Sequence, residues 1–170
     1  MMPETENLIL GKAKYDDWQA MYRNVWSRPE CARYMLWDLT ESEDAARARI
    51  LRTIDYQKDR EGFLVYEKAS GEPIGFAGVR EVSQGVWEET GICLGPEFQR
   101  KGYGKQILLC LMRYCRDRLQ GRRFLYSTRA ENLASKALAR SLGFTLAGTE
   151  ARTDPRTEQP YTLEQYQVSL

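Results

Sequence analysis

Histidine is absent from the 170 residues. Its absence removes the commonest general base, the commonest metal ligand and every Ser–His or Cys–His nucleophile pair. Any chemistry therefore falls to carboxylates, Tyr, Ser, Cys, backbone groups or water. No apolar run approaches the ~20 residues that span a bilayer, which argues against a membrane helix. The opening Met1-Met2-Pro3-Glu4 lacks a basic-then-apolar leader, so a cytoplasmic protein is expected. Neither charge sign is in excess: 25 Lys and Arg stand against 24 Asp and Glu. A net charge of +1 gives no whole-molecule field favouring nucleic acid or a membrane surface. Only four cysteines occur, Cys31, Cys93, Cys110 and Cys115, in apolar contexts without metal-ligand spacing. They read as reduced core thiols, and no metal is expected. There is no repeat, low-complexity tract or linker, so residues 1–170 are expected to form one domain.

What is present is an ordered series of apolar segments. Leu8-Ile9-Leu10 opens as a strand, and Tyr15 to Ser27 reads as a helix with Trp18, Met21, Tyr22, Val25 and Trp26 on one side. Arg28-Pro29 breaks it, and a shorter helix follows to about Met35. Thr40-x-x-Glu43 is a candidate capping box for a polar helix reaching about Lys58. Residues 63–66 and 74–79 read as strands joined by a turn at Ser70-Gly71, and Val86 to Leu94 as the next strand. That strand closes at Gly95-Pro96, and Gln99-Arg100-Lys101-Gly102-Tyr103-Gly104 follows. Beyond it, Ile107, Leu108, Leu111, Met112, Cys115 and Leu119 have the spacing of a buried helix face. Glycines at a helix start let a ligand approach the backbone and leave first-turn N–H groups pointing at one spot. That is an anion site, and Arg100, Lys101 and Lys105 suggest phosphate. No Gly-Lys-Ser/Thr follows the glycines, which argues against a nucleotide-binding P-loop.

A second landmark lies downstream: the apolar run 123–128, then Asn132-Leu133-Ala134-Ser135 opening a short helix, then Gly143-Phe144, with Leu163 to Val168 as the last strand. Strand, Gln-x-x-Gly-x-Gly, helix, strand, Asn-x-x-Ser, helix, Gly-Phe resembles the acetyl-CoA-binding core of the GCN5-related N-acetyltransferases. The Asn-x-Ala-Ser and Gly-Tyr-Gly variants are most similar to the branch of ribosomal-protein N-terminal acetyltransferases. The match is close over about residues 86–150. The resemblance implies a mixed α/β fold: a mostly antiparallel central sheet with a splayed parallel strand pair and flanking helices. It implies acetyl-CoA as co-substrate and an amine acceptor, either a small molecule or a protein N-terminus. Nucleic acid and membrane are not expected as partners, and assembly into a homodimer is left open.

The resemblance also assigns residues. Ile92, Cys93 and Leu94 would hold the cofactor's pantetheine arm, with the Leu94 N–H on the thioester oxygen as charge develops there. The loop Gln99, Arg100, Lys101, Gly102, Tyr103, Gly104 and Lys105 would hold the pyrophosphate, and Asn132 the pantetheine amides. Basic residues at 113–123 and 136–140 also suit a polyanion. On the second helix Asn132, Ser135, Lys136 and Ala139 share one face, expected to look at coenzyme A, and Ala134, Leu138 and Leu142 the other, expected in the core. Many members carry a Tyr where this chain has Ala139; Ser135 is then the candidate acid for the departing thiolate. Gly11-Lys12 stands where the branch commonly has an Arg.

The base must be a carboxylate. Glu88 and Glu89 stand on the strand leading to the loop, and alternation lets at most one face the site unless a bulge intervenes. Glu89 is preferred by its spacing to Gly91, with Glu150 and Asp154 as alternatives. Such a base suits low-pKa amines: deprotonation at pH 7 costs about 1 kcal/mol for an α-amino group and about 4.6 for a lysine amine. Tyr34 and Trp37 are candidates for the acceptor wall, while Trp18 and Trp26 read as core. The rival expectation is an acyl-CoA sensor without turnover.

Overall fold

The computed structural model describes all 170 residues. The chain divides into two compact units, Met1–Arg80 with Thr90–Leu111, and Glu81–Glu89 with Met112–Leu170.

In the first unit, β1 (Leu8–Gly11) pairs antiparallel with β2 (Glu61–Glu67), and β2 pairs antiparallel with β3 (Pro73–Ser83). The two-residue β5 (Cys93–Leu94) also pairs antiparallel with β3. Gly75 makes that pairing feasible, since a Cβ there would lie 2.1 Å from the Cys93 carbonyl oxygen. The expected helix over Tyr15–Ser27 is one helical stretch of three kinds. A 3₁₀ turn (Tyr15–Asp17) leads into α1 (Trp18–Met21) and then a π-turn (Tyr22–Trp26). The short helix α2 (Pro29–Ala32) stops before the expected Met35. Helix α3 (Glu43–Tyr56) is capped by Ser42, whose Oγ accepts from the Ala45 N–H at 3.1 Å, and not by Thr40. Glu43 and Asp44 complement the helix N-terminus. Trp18, Met21, Val25, Trp26, Cys31, Ala46, Ile50, Leu64 and Cys93 form this unit's core, so Trp18 and Trp26 are buried as expected.

In the second unit β4 (Val86–Glu89) runs parallel to β6 (Arg123–Arg129), and β8 (Pro160–Ser169) pairs antiparallel with β6 and with β7 (Thr145–Thr153). Helix α5 (Leu133–Ser141) connects β6 to β7. Helix α4 (Tyr103–Arg118) passes from the first unit into the second along the chain. Phe124 and Tyr126 meet Phe144 with ring centroids 6.2 and 6.0 Å apart. The result is a mixed α/β fold, antiparallel except for the β4–β6 pair.

The single strand expected over Val86–Leu94 is two strands. The parallel ladder ends at Glu88↔Leu125, and Gly91 takes φ +126°, a conformation L side chains avoid. Cys93 and Leu94 then pair with β3, not with β6. The parallel ladder thus ends before Ile92, Cys93 and Leu94, the strand end that the resemblance assigned to the splay.

Candidate active site

The first unit holds the expected loop. The Gly95 N–H donates to the Ile74 carbonyl at 2.8 Å, so Gly95↔Ile74 is a hydrogen-bonding pair of the β3–β5 ladder. By antiparallel alternation Leu94, opposite Gly75, is a non-hydrogen-bonding position, with its N–H and C=O turned away from β3. Its carbonyl accordingly accepts from the Gln99 side-chain amide at 3.0 Å and the Cys31 thiol at 3.5 Å. The Leu94 N–H is thus turned toward whatever lies beside β5. Gln99 braces this strand end through its side chain.

The next residues make the turn. Arg100 (φ 60°) and Gly102 (φ 78°) both adopt left-handed conformations, and the Gly102 carbonyl accepts the first α4 bond, from Gln106 N–H. Tyr103, Gly104 and Lys105 therefore supply first-turn N–H groups without intrahelical partners. Tyr103 fixes the helix start: its hydroxyl donates to Glu67 at 2.8 Å, and that bond holds the phenol pKa up. Lys101 rests over the rings of Phe98 and Tyr103. Arg100, Lys101 and Lys105 have no carboxylate within ion-pair distance, so their charge remains available to an anion. Ile92 is half-buried, and Cys93 is buried with its Sγ 3.9 Å from the Cys31 carbonyl.

The second unit gathers the other candidates. Glu89 is buried, and its Oε1 accepts from the Ser127 N–H at 3.4 Å; Glu88 Oε1 accepts from the Ser127 hydroxyl at 3.3 Å. Strict alternation would have separated these two carboxylates, yet both meet Ser127. Asn132 caps α5, its Oδ1 accepting from the Ser135 N–H at 3.2 Å. The Ser135 hydroxyl shares a short hydrogen bond with the Tyr126 hydroxyl. Burial pushes the Tyr126 phenol up to about 12, helped by the Glu89 charge and opposed by the Ser135 bond. Tyr126 is the member of this group that sequence reasoning missed. Its signal was only a tyrosine midway along an apolar strand, where a ring in the core is the ordinary reading.

Several expectations need correction. Ala139 is fully buried and Ala134 exposed, so the α5 face carrying Ser135 and Ala139 turns into the second unit's core. Lys136 is tied to Glu164 at 3.2 Å, which removes it from the cations free to meet a phosphate. Asp154 is not a base: Arg129 at 2.7 Å, then Arg156, hold its carboxyl far below the usual range. Glu150 is exposed and paired with Arg152 at 2.8 Å. Lys12 donates to the Arg60 and Gly62 carbonyls and lies 4.7 Å from the Phe63 ring centroid, a structural role. All four cysteines are buried free thiols.

A family model described as an acetyltransferase (GNAT) domain matches residues 7–145. The chain belongs to the GNAT acetyltransferases, enzymes that transfer acetyl from acetyl-CoA. Solved structures share the fold along nearly its whole length. A GNAT-family acetyltransferase from Bacillus anthracis superposes with TM-score 0.84 at 17% identity, covering 99% of this chain and 98% of that one. The Salmonella typhimurium acetyltransferase that modifies the N-terminal serine of 50S ribosomal protein L7/L12 gives 0.80 at 22% identity, covering 99% and 98%. The Microcin C7 self-immunity acetyltransferase MccE, solved with acetyl-CoA and AMP, gives 0.83 at 17% identity, covering 98% and 94%. No curated protein sequence matches significantly. No helix is long and apolar enough to cross a membrane.

Proposed function

We propose that the chain, working as one domain, transfers acetyl from acetyl-CoA to a low-pKa primary amine, a peptide N-terminus or a small molecule, by direct attack. The observation that carries this reading is the turned-out backbone of Leu94, followed by a helix start that presents unpartnered N–H groups and unpaired cations. Acetyl-CoA supplies the acetyl thioester. The N–H groups of Tyr103, Gly104 and Lys105, with Arg100 and Lys101, hold its phosphates. Ile92, Cys93 and the Asn132 amide hold the pantetheine arm.

Glu89, with Glu88 beside it at Ser127, draws a proton from the acceptor amine through water. The amine nitrogen forms a bond to the thioester carbon, and the Leu94 N–H stabilises the charge that develops on its oxygen. The carbon–sulfur bond then breaks. The thiolate leaves as such or takes a proton from Ser135, which Tyr126 holds in place. Since a thiol of pKa about 8.5 is a tolerable leaving group near neutral pH, this last proton is the least critical. No covalent enzyme intermediate is involved.

A screen of amine libraries with thiol detection tests the proposal. Amine-dependent thiol release, with acetylated amine in equal amount, is the expected result. Binding of acetyl-CoA without release from any amine would instead identify a sensor.

A further inference from the structure

An open groove of about 550 Å³ in the first unit is lined by Trp37, Asp38, Thr40, Arg49, Arg52 and Tyr56, among others. Arg49 is its distinctive group. The guanidinium lies against two indoles, 4.9 Å from the Trp26 ring centroid and 4.5 Å from that of Trp37. One nitrogen, Nη1, donates to Thr40 Oγ1 at 3.0 Å and reaches the Asp38 backbone carbonyl at 3.5 Å. Neither Nε nor Nη2 meets a protein acceptor, and no carboxylate lies within ion-pair distance of Arg49 or Arg52. Asp38 lines the same groove but contributes only its carbonyl to Arg49. Burial, with the charge of neighbouring Arg52, pulls the Arg49 pKa down to about 10. A half-buried fork of donors stacked in place and near a second cation matches an oxyanion with two adjacent oxygens.

The groove also lies close to β5. Trp37 meets Phe76 edge-on at 6.3 Å, and Phe76 pairs with Cys93. The charge of Arg49 reaches Cys93, although the Cys31 contact and burial still push that thiol well up and keep it neutral. An anion bound here would sit near the strand assigned to the thioester end of the cofactor. We infer that Arg49 and Arg52 form an oxyanion subsite for the acceptor, selecting amines that also carry a carboxylate or phosphate group. The role as acceptor subsite rests on the acetyl-transfer reading; the anion site itself does not.

Two measurements separate these claims. Tryptophan fluorescence of the intact protein is titrated with succinate and with inorganic phosphate, and Trp37→Phe identifies the reporting ring. Saturable quenching that Arg49→Gln abolishes supports the subsite even in protein that transfers no acetyl group. The stronger of the two anions names the chemistry. Absence of saturable binding by both overturns it, whatever amine the enzyme acetylates. Thiol release is then compared for matched peptide amides with N-terminal Asp and Asn, and with phosphoserine and serine. The wild type should favour the anionic member of at least one pair by about a hundredfold in kcat/KM, mainly through KM. Arg49→Lys, which keeps the charge and loses the fork, should reduce the preference about tenfold, through a raised KM for the anionic members. Equal kcat/KM within both pairs, or a preference unaltered in Arg49→Lys, would overturn the acceptor role.

Discussion

Arg129, buried, and Arg49, half-buried, each lay a guanidinium on an aromatic ring, yet their charge partners differ. Arg129, 3.9 Å from the Tyr161 ring centroid, has Asp154 at 2.7 Å, and Asp154 also takes Arg156. Arg49, held against Trp26 and Trp37, has Arg52 near it and no carboxylate within ion-pair distance. The first arrangement is closed: every charge meets its opposite, and its consequence is structural. The second leaves donors without protein acceptors on the wall of an open groove, where a ligand can meet them. Arg100, Lys101 and Lys105 resemble Arg49, while Lys136, bound to Glu164, resembles Arg129. Where a cation has its partner separates the clamps of this molecule from its receptors better than where basic residues cluster in sequence.

The comparison is tested most severely on the side of the unpaired charges. Gly102→Val puts a β-branched residue at φ 78° where no atom crowds the new Cβ, so its effect is on backbone conformation rather than packing. The variant should fold, and the rise in Tm that acetyl-CoA gives the wild type should vanish in thermal denaturation. Next in size is Glu89→Gln, expected to lower kcat about 10²-fold at pH 7, with the deficit shrinking at high pH as the amine deprotonates unaided. Full activity in both Glu89→Gln and Glu88→Gln would place the base elsewhere.

On the paired side, Asp154→Asn should lower Tm by about 5 °C or more at neutral pH while leaving acetyl-CoA binding intact. The sign of its pH dependence follows from linkage. The folded-state pKa of Asp154 is depressed, so its contribution is fully present above the unfolded carboxyl pKa of about 3.9 and is lost as pH falls toward the folded value. Wild type should lose part of its stability below about pH 4, and Asp154→Asn should lack that component. A loss of acetyl-CoA binding in this variant would mean the clamp is part of the site.

Smaller effects are expected at Ser135. Ser135→Ala should reduce kcat about tenfold, about 1.4 kcal/mol, and Tyr126→Phe only a few-fold, with KM for acetyl-CoA little changed. Restoring the family's tyrosine as Ala139→Tyr should destabilise the protein, because Ala139 is fully buried.

Most of the elements were legible in the sequence because their signals are local: apolar periodicity for α4, the Gly-Pro and Ser-Gly turns, Asn132 before α5. The turn into α4 was legible because glycine at a helix start has a direct physical meaning, and the cofactor role of that turn is our proposal. Three things were not. The break in the strand over Val86–Leu94 depends on partners distant in sequence, β6 for β4 and β3 for β5, and only the glycine at position 91 marked it in the sequence. The orientation of α5 was misjudged because Ala134 and Ala139 are equally apolar and the neighbouring strand decides which is buried. Pairing of charges at long range, as in Arg129–Asp154 or Lys136–Glu164, leaves no sequence pattern. The same blindness hid Arg49, whose importance is the absence of a partner.

Direct transfer is the central claim, and rapid mixing of enzyme with acetyl-CoA before any amine is added tests it most directly. The account predicts no burst of free thiol and no added acetyl mass on the protein, followed by stoichiometric thiol and acetylated amine once an acceptor is supplied. A thiol burst equal to the enzyme concentration, with acetyl recovered on Ser135, Cys31 or Cys93, would contradict it.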